Sequence, residues 1–142
     1  MNEITAPEAR LDAVVKELLQ ERGQLLSAFC TLAGMDEKTA IEARRRLLQR
    51  FCQLLMDYAS LWQFELQPLI LESGQRNAAA REALRQLQPR ILGADEVALE
   101  FNDRYEASDP AQGLARLEQH LSALGERLAE RFDAEDRILA QV

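Results

Sequence analysis

Hydrophobic residues recur every three or four positions along nearly the whole chain, and this spacing predicts α-helices. The first helix is predicted to begin at Thr5, where Thr5-Ala6-Pro7-Glu8 forms a capping-box pattern, and to end at Gly34. Its apolar face comprises Leu11, Val14, Val15, Leu18, Leu19, Leu25, Leu26, Phe29 and Leu32. No alternating run of apolar and polar residues is long enough to predict a β-strand.

The second helix has two candidate starts. Asp36 can cap it, or Thr39 can cap it in a second capping-box pattern with Glu42. The apolar stripe of this helix comprises Leu47, Leu48, Phe51, Leu54, Leu55, Tyr58, Leu61 and Trp62. The pattern therefore predicts a second long amphipathic helix.

Two prolines are predicted to divide the middle of the chain. Because proline lacks a backbone N–H and disfavours helix in the residue before it, Pro68 predicts a break or kink between residues 61 and 68. A helical pattern that starts by Asn77 is interrupted at Pro89, which suits the first turn of a new helix ending near Ala107. The apolar positions of that new helix are Ile91, Leu92, Val97, Leu99, Phe101 and Tyr105.

The last helix follows a stop signal, Ser108-Asp109-Pro110, in which a capping residue precedes proline at the first helical position. Its apolar positions are Leu114, Leu117, Leu121, Leu124, Leu128, Phe132 and Leu139. Four long amphipathic helices with short connections predict an all-α fold, an antiparallel four-helix bundle with one or two short additional helices. The length of 142 residues predicts a single domain over residues 1–142.

Charge is distributed unevenly along the chain. The net charge is −7, and residues 95–142 contain 12 acidic residues and 5 arginines, while the other residues are neutral by count. An acidic C-terminal third argues against direct binding of nucleic acid, whose phosphates need a basic surface. It suits either a basic partner protein or a surface that keeps the protein soluble.

The sequence carries no signal for a membrane or for secretion. Apolar stretches are far shorter than a transmembrane span requires, and the N-terminus has no basic start followed by an apolar run. Cys30 and Cys52 match no disulfide framework and no zinc pattern. We therefore expect a cytoplasmic protein with two reduced core thiols, with a redox switch as the alternative.

Candidate catalytic groups are few, so we expect no enzyme activity, no cofactor and no metal. The one histidine, His120, has leucine three positions before it, so the Glu-x-x-His motif of di-iron bundles is missing, and no glycine-rich phosphate loop occurs. Histidine phosphotransfer domains are an alternative, but His120-Leu121-Ser122-Ala123-Leu124-Gly125 lacks their lysine. A boundary histidine with a structural hydrogen bond is the favoured interpretation.

The only basic run is Arg44-Arg45-Arg46 together with Arg50. Glu42 lies four positions before Arg46, which predicts an ion pair along the helix. The run is interpreted as a solvated helix face, and contact with a phosphate or an acidic partner is the alternative.

Four residues of the second helix share an edge beside its apolar stripe. At about 100° per residue, an arc of about 60° holds this candidate contact edge, which consists of Gln53, Asp57, Ser60 and Phe64. An aromatic side chain beside a charge that can pair is typical of a protein interface. The alternative is that Phe64 folds into the core while Asp57 is merely solvated.

The same segment carries a resemblance to a known family. The residues that match that family's pattern are Phe51, Cys52, Gln53, Leu55, Asp57, Tyr58, Ser60, Phe64 and Glu65. Leu19-Gln20-Glu21-Arg22 and Arg131-Phe132-x-x-Glu135-Asp136 also agree with it, in the same order along the chain. The chain thus resembles the Rsd/AlgQ family of bacterial anti-sigma factors. Trp62 and Gln63 stand where that family has Gly-His, and Pro68 is a further departure.

The resemblance implies a helical transcription regulator that binds the primary sigma factor. The expected partner region is the C-terminal DNA-reading helix-turn-helix of sigma, and binding there would sequester sigma from core RNA polymerase and from the −35 promoter element. Gln53, Asp57, Ser60 and Phe64 are the expected contact residues. We expect the protein to be a monomer. The alternative function is that of a helical adaptor for another partner protein.

Overall fold

The computed structural model describes residues 2–36, 39–106 and 114–142, and these residues contain helices and no β-strand. The four long helices are α1 (Asn2–Ala33), α2 (Ile41–Leu61), α4 (Ala78–Tyr105) and α5 (Leu117–Leu139), and a short helix α3 spans Gln67–Glu72. A π-helical turn spans Trp62–Leu66, and 3₁₀ turns span Gly74–Asn77 and Leu114–Arg116. The predicted all-α four-helix bundle with short additional elements is confirmed.

Consecutive long helices run antiparallel. In the α4–α5 pair, which has the most extensive contacts, Arg90 lies beside Asp133 at one end and Tyr105 bonds to His120 at the other. Arg22 of α1 reaches the C-terminal half of α5, where its Nη2 lies 3.1 Å from Glu135 Oε1. The short connections predicted from the sequence produce this arrangement.

Aromatic rings cross the centre of the bundle from α1 to α4. Phe29 packs against Phe51 at a centroid distance of 5.9 Å, and Phe51 meets Phe101 edge-on at 5.6 Å. A Cβ atom added at Gly125 of α5 would lie 2.8 Å from Phe29 Cζ. Gly125 therefore permits the close approach of α1 to α5 at this level.

The sequence places the end of α1 correctly and the start of α2 incorrectly. α1 ends at Ala33, where the N–H of Gly34 donates to the Cys30 carbonyl at 3.0 Å. α2 begins at Ile41, and its N-cap residue Ala40 provides no side-chain hydrogen bond. Both predicted caps are wrong, because Ala40 occupies the N-cap position and the Thr39 hydroxyl donates to the Asp36 carboxylate at 3.5 Å instead of accepting from an N–H of the first turn.

The predicted interruption at Pro89 is also wrong, because α4 continues through it from Ala78 to Tyr105. Pro89 is exposed, so water can reach the carbonyl that its missing N–H leaves without a helical partner. Buried Leu84 and Ile91 on either side of Pro89 keep the helix packed. The predicted Ser108-Asp109-Pro110 stop lies outside the described residues.

The two cysteines differ in their surroundings, and neither forms a disulfide. Cys52 is buried, and its burial, followed by the charge of Glu106, raises the pKa of its thiol to about 12. Cys30 is exposed, so the prediction of two core thiols is wrong for Cys30, which α1 directs away from the core. None of the described helices is both long and apolar enough to cross a bilayer.

Candidate functional site

The contact edge lies on the solvent-facing side of α2 and of the π turn that follows. Gln53, Asp57, Ser60 and Phe64 are all exposed, and none of them forms a hydrogen bond or an ion pair with another described residue. Phe64 is 69% exposed, more than any other large hydrophobic side chain that the structure describes. The predicted exposure of Phe64 is therefore confirmed, while the role of the edge stays a prediction.

The π turn keeps the helix continuous where the sequence predicts a break. The N–H of Gln67 donates to the carbonyl of Trp62, five residues earlier, and α3 then carries Pro68 in its first turn. Proline is tolerated in that position because the first N–H groups of a helix need no helical acceptor. The α-helix is therefore interrupted between residues 61 and 68, as predicted, but by a π turn rather than by a break in the helical backbone.

The same turn aligns the buried side chains below the edge. Tyr58, Trp62, Leu66 and Ile70 are buried at a strict spacing of four residues. In an α-helix each such step rotates the side chain by about 40°, so the stripe would drift out of the core. A π turn holds more residues than an α turn and cancels part of that drift. It also reduces the rotation between Ser60 and Phe64.

Carboxylates from three elements approach one another beside the edge. This acidic cluster comprises Glu17 and Glu21 of α1, Asp57 of α2 and Glu65 of the π turn. Burial, and then the charges of Glu17, Asp57 and Glu65, raise the pKa of Glu21 above its ordinary value. Its Oε2 atom is buried and has no hydrogen-bond partner among the described residues. The cluster therefore attracts a cation from outside.

Glu21→Gln is expected to stabilise the fold at pH 7 by about 0.5 kcal/mol, because it removes the desolvation cost and the like-charge repulsion of a carboxylate that solvent partly screens. The raised pKa means that ionised Glu21 costs folding free energy above its folded-state pKa, and the cost disappears below the ordinary value of 4.5. Urea melts of both proteins at pH 7 and near pH 4 measure this. Equal gains at both pH values would contradict the explanation.

Directly beneath the edge, polar and charged residues from all four long helices form one largely buried network. Arg22, Tyr58, Asp95, Arg131, Glu135 and Asp136 make up this four-helix network. Its centre is Glu135, which is fully buried together with Arg131. The network includes the chain neighbours of two residues of the acidic cluster, because Arg22 follows Glu21 and Tyr58 follows Asp57.

Hydrogen bonds pair most of the polar atoms of the network. Glu135 Oε1 accepts from the Tyr58 hydroxyl and from Arg22 Nη2, and its Oε2 accepts from Arg131 Nε at 2.9 Å. Arg22 Nε donates to the Tyr58 oxygen at 3.0 Å, and Arg131 Nη1 donates to Asp95. The guanidinium of Arg22 also lies 4.8 Å from the centre of the Phe132 ring.

The network shifts the pKa values of Tyr58 and Arg131. Burial, and then the charge of Glu135, raise the pKa of Tyr58, so its hydroxyl stays protonated and can donate. Burial lowers the pKa of Arg131, but the charges of Glu135 and Asp95 outweigh it and the net change is upward. A rigid ion network of this kind holds α2 at a fixed rotation and so fixes the direction in which Asp57 points.

Sequence reasoning did not place Arg22, Arg131 or Glu135 in the core. A signal for them was present, because Arg131 and Glu135 extend the buried positions of α5, which follow alternating spacings of four and three: Leu117, Leu121, Leu124, Leu128, Arg131, Glu135 and Ile138. Arg22 likewise fills the gap between Leu18 and Leu25. Charged residues in core positions indicate buried partners of opposite charge.

His120 is a partly buried residue at the edge of the core. Its Nδ1 is hydrogen-bonded to the hydroxyl of Tyr105. Burial, and then the charges of Arg104 and Arg116, lower the pKa of His120. The structural hydrogen bond that the sequence favours for His120 is confirmed.

The basic run at the start of α2 does not form its predicted ion pair. Glu42 and Arg46 are both exposed, and no ion pair joins them or involves Arg44, Arg45 or Arg50 among the residues that the structure describes. The prediction of a Glu42–Arg46 pair is wrong, because both side chains remain in solvent, where such a pair contributes little.

Comparisons with known proteins identify relatives along the whole length. The family model described as "Regulator of RNA polymerase sigma(70) subunit, Rsd/AlgQ" matches residues 1–142. The regulator of sigma D of Pectobacterium atrosepticum is 32% identical over 135 residues, which cover 92% of this chain and 88% of that protein. The regulator of sigma D of Yersinia pseudotuberculosis is 28% identical over 134 residues, covering 89% and 77%. No solved structure matches the chain.

Some of the residues that match the family pattern lie on the contact edge, and others lie in the buried network beneath it. Asp57 and Ser60 lie on the contact edge, whereas Arg22, Tyr58 and Glu135 meet in the buried network. The match over the full length therefore covers both the surface and the network that supports it. This chain belongs to the Rsd/AlgQ family of regulators of the RNA polymerase sigma(70) subunit.

Proposed function

We propose that this protein binds the primary sigma factor through the contact edge and sequesters it from core RNA polymerase and from the −35 promoter element. The observation that carries the proposal is the edge itself, in which unpaired Asp57 and 69%-exposed Phe64 project from one rigid helix of a sigma-regulator family member. The protein acts by occupying its partner and catalyses no reaction. Since its target is the sigma subunit of RNA polymerase, it works in the cytoplasm, as the single domain over residues 1–142.

The chemistry of the edge suits the C-terminal DNA-reading region of sigma. A helix-turn-helix module must present a basic surface, because its recognition helix meets the phosphates of DNA. Asp57 and the rest of the acidic cluster offer carboxylates to such a surface, and Phe64 offers an aromatic anchor for an apolar pocket. Occlusion of this surface would prevent sigma from reading DNA, and the regulator itself needs no contact with nucleic acid.

Asp57→Ala is expected to weaken sigma binding by about 1–3 kcal/mol, because it removes the partner of a sigma cation at a partly desolvated interface. Folding should remain nearly unchanged, since exposed Asp57 forms no hydrogen bond with a described residue. Calorimetric titration with purified sigma measures the affinity, and urea melts measure the stability of the same protein.

Asp103→Ala provides the matched control. Asp103 is exposed on α4, forms no hydrogen bond or ion pair within the described ranges, and its loss changes the net charge by the same amount. Its removal should leave sigma affinity within the error of the titration. If both variants weakened binding equally, the effect would come from net charge, and Asp57 would have no specific contact.

A further inference from the structure

Two arginines continue the contact edge toward the start of α2. The exposed side chains at alternating spacings of four and three residues form a bipolar strip that consists of Arg46, Arg50, Gln53, Asp57, Ser60 and Phe64. At about 100° per residue, its α-helical members lie within an arc of about 80°. Arg46 and Arg50 form no ion pair within the described ranges. The strip is therefore positive at one end and negative around Asp57.

Arg50 also lines a groove of about 480 Å³ between α1 and α2. The polar side chains of α1 that line this α1–α2 groove are Gln20, Gln24, Ser27 and Thr31, and its lining contains no carboxylate. A Cβ atom added at Gly23, on the α1 side, would meet no atom within 4 Å. The groove therefore offers hydrogen-bond donors, one cation and open space. A carboxylate needs these features in a binding site.

We propose that the sigma-binding surface extends along the bipolar strip, where Arg46 and Arg50 bind acidic side chains of sigma, and beside Arg50 into the α1–α2 groove. This inference rests on the proposed function. The rise of an α-helix places Arg50 about 10 Å from Asp57 along the axis. The sigma segment that docks here carries a carboxylate and a cation about two helical turns apart, and its polarity fixes the direction in which it lies on α2.

Two other occupants fit the strip less well. The phosphates of a nucleic acid could pair with the arginines. The acidic cluster of Glu17, Glu21, Asp57 and Glu65 would, however, repel the next phosphates along the same strand. A second copy in antiparallel orientation could pair Arg50 with Asp57, but it would place Phe64 against the polar start of the other α2. A sigma segment can satisfy both charged ends and still offer Phe64 an apolar pocket.

The basic end is tested by reversing one charge. Arg50→Glu should weaken the affinity for the purified primary sigma factor of the same bacterium by at least about tenfold, because it opposes a sigma carboxylate with a like charge. Arg45→Glu is the matched control, since Arg45 is exposed on the same helix but lies about 100° away from Arg46. It should weaken binding by less than about threefold.

The groove is tested by filling it. Gly23→Leu and Gly93→Leu both place a side chain at a helical glycine whose Cβ position has no atom within 4 Å. Both variants should fold at least as stably as the wild type, because leucine is a better helix former than glycine. Only Gly23→Leu should weaken sigma binding, by about tenfold or more.

The outcomes separate this inference from the proposed function. If the wild-type protein does not bind sigma, both fail. If Asp57→Ala weakens binding while Arg50→Glu and Gly23→Leu bind normally, the extension is overturned and the proposed function remains. If the wild type sediments as a dimer that Arg50→Glu dissociates, and sigma affinity is unchanged, the strip joins two copies and the inference is overturned. Weakened binding by Arg50→Glu and Gly23→Leu, but not by their controls, supports it.

Discussion

Glu135→Gln is expected to lower the free energy of unfolding by about 3–5 kcal/mol, the cost typical of breaking a buried ion pair. Glu135 is fully buried and accepts hydrogen bonds from Arg22, Tyr58 and Arg131. A glutamine of the same shape carries no charge, so two buried or partly buried guanidinium groups lose their central counterion. The loss is a large fraction of the 5–15 kcal/mol by which domains are typically stable. Urea melts at pH 7 measure it.

A control on the same helix isolates the effect of burial. Glu130 of α5 pairs with Arg127 at 3.4 Å, but both side chains are about half exposed. Glu130→Gln should therefore change stability by less than about 0.5 kcal/mol. A loss of under about 1 kcal/mol for Glu135→Gln would mean that water solvates the network and that it does not fix the rotation of α2.

Much of the fold follows from helical periodicity, because four amphipathic stripes have few ways to bury their apolar faces. The predicted helix boundaries were inaccurate where local sequence signals compete with the packing of the helices. Pro68 and Pro89 were each expected to interrupt a helix. At Pro68 the interruption is only a π turn, which leads directly into the first turn of α3, and Pro89 lies on an exposed face of α4 between buried turns without interrupting it. The packing of the flanking core residues outweighs the loss of one hydrogen bond in each case.

The candidate site, like the fold, could be predicted from the sequence only in part. The exposure of Gln53, Asp57, Ser60 and Phe64 follows from their shared arc beside the apolar stripe, which a helical wheel can show. The buried network cannot be predicted from any one helix, because its central residues Arg22, Tyr58 and Glu135 come from α1, α2 and α5. Long-range contacts such as Arg22 to Glu135, 113 residues apart, depend on how the helices pack. The periodicity could only indicate that these charges occupy core positions.

The exposed aromatic of the contact edge gives the sharpest test of the proposed function. Phe64 is 69% exposed, while its neighbours Trp62 and Leu66 fill the core beneath it. A large aromatic side chain in solvent contributes little to folding and much to an interface that covers it. Phe64→Ala should therefore cost less than about 1.5 kcal/mol of stability, and we expect it to cost about 2 kcal/mol or more of sigma affinity.

Leu99→Ala is the matched control for Phe64→Ala, because Leu99 is 53% exposed on α4, away from the bipolar strip. It should leave sigma affinity unchanged and cost as little stability as Phe64→Ala does. Denaturant melts of the two variants measure the loss of folding free energy, and binding isotherms measure the loss of sigma-binding free energy, so the two losses can be compared directly. A Phe64→Ala protein that loses about 3–5 kcal/mol of stability and keeps its affinity would show that the ring belongs to the core in solution. If it folds normally and still binds sigma as the wild type does, the aromatic anchor lies elsewhere on the bundle.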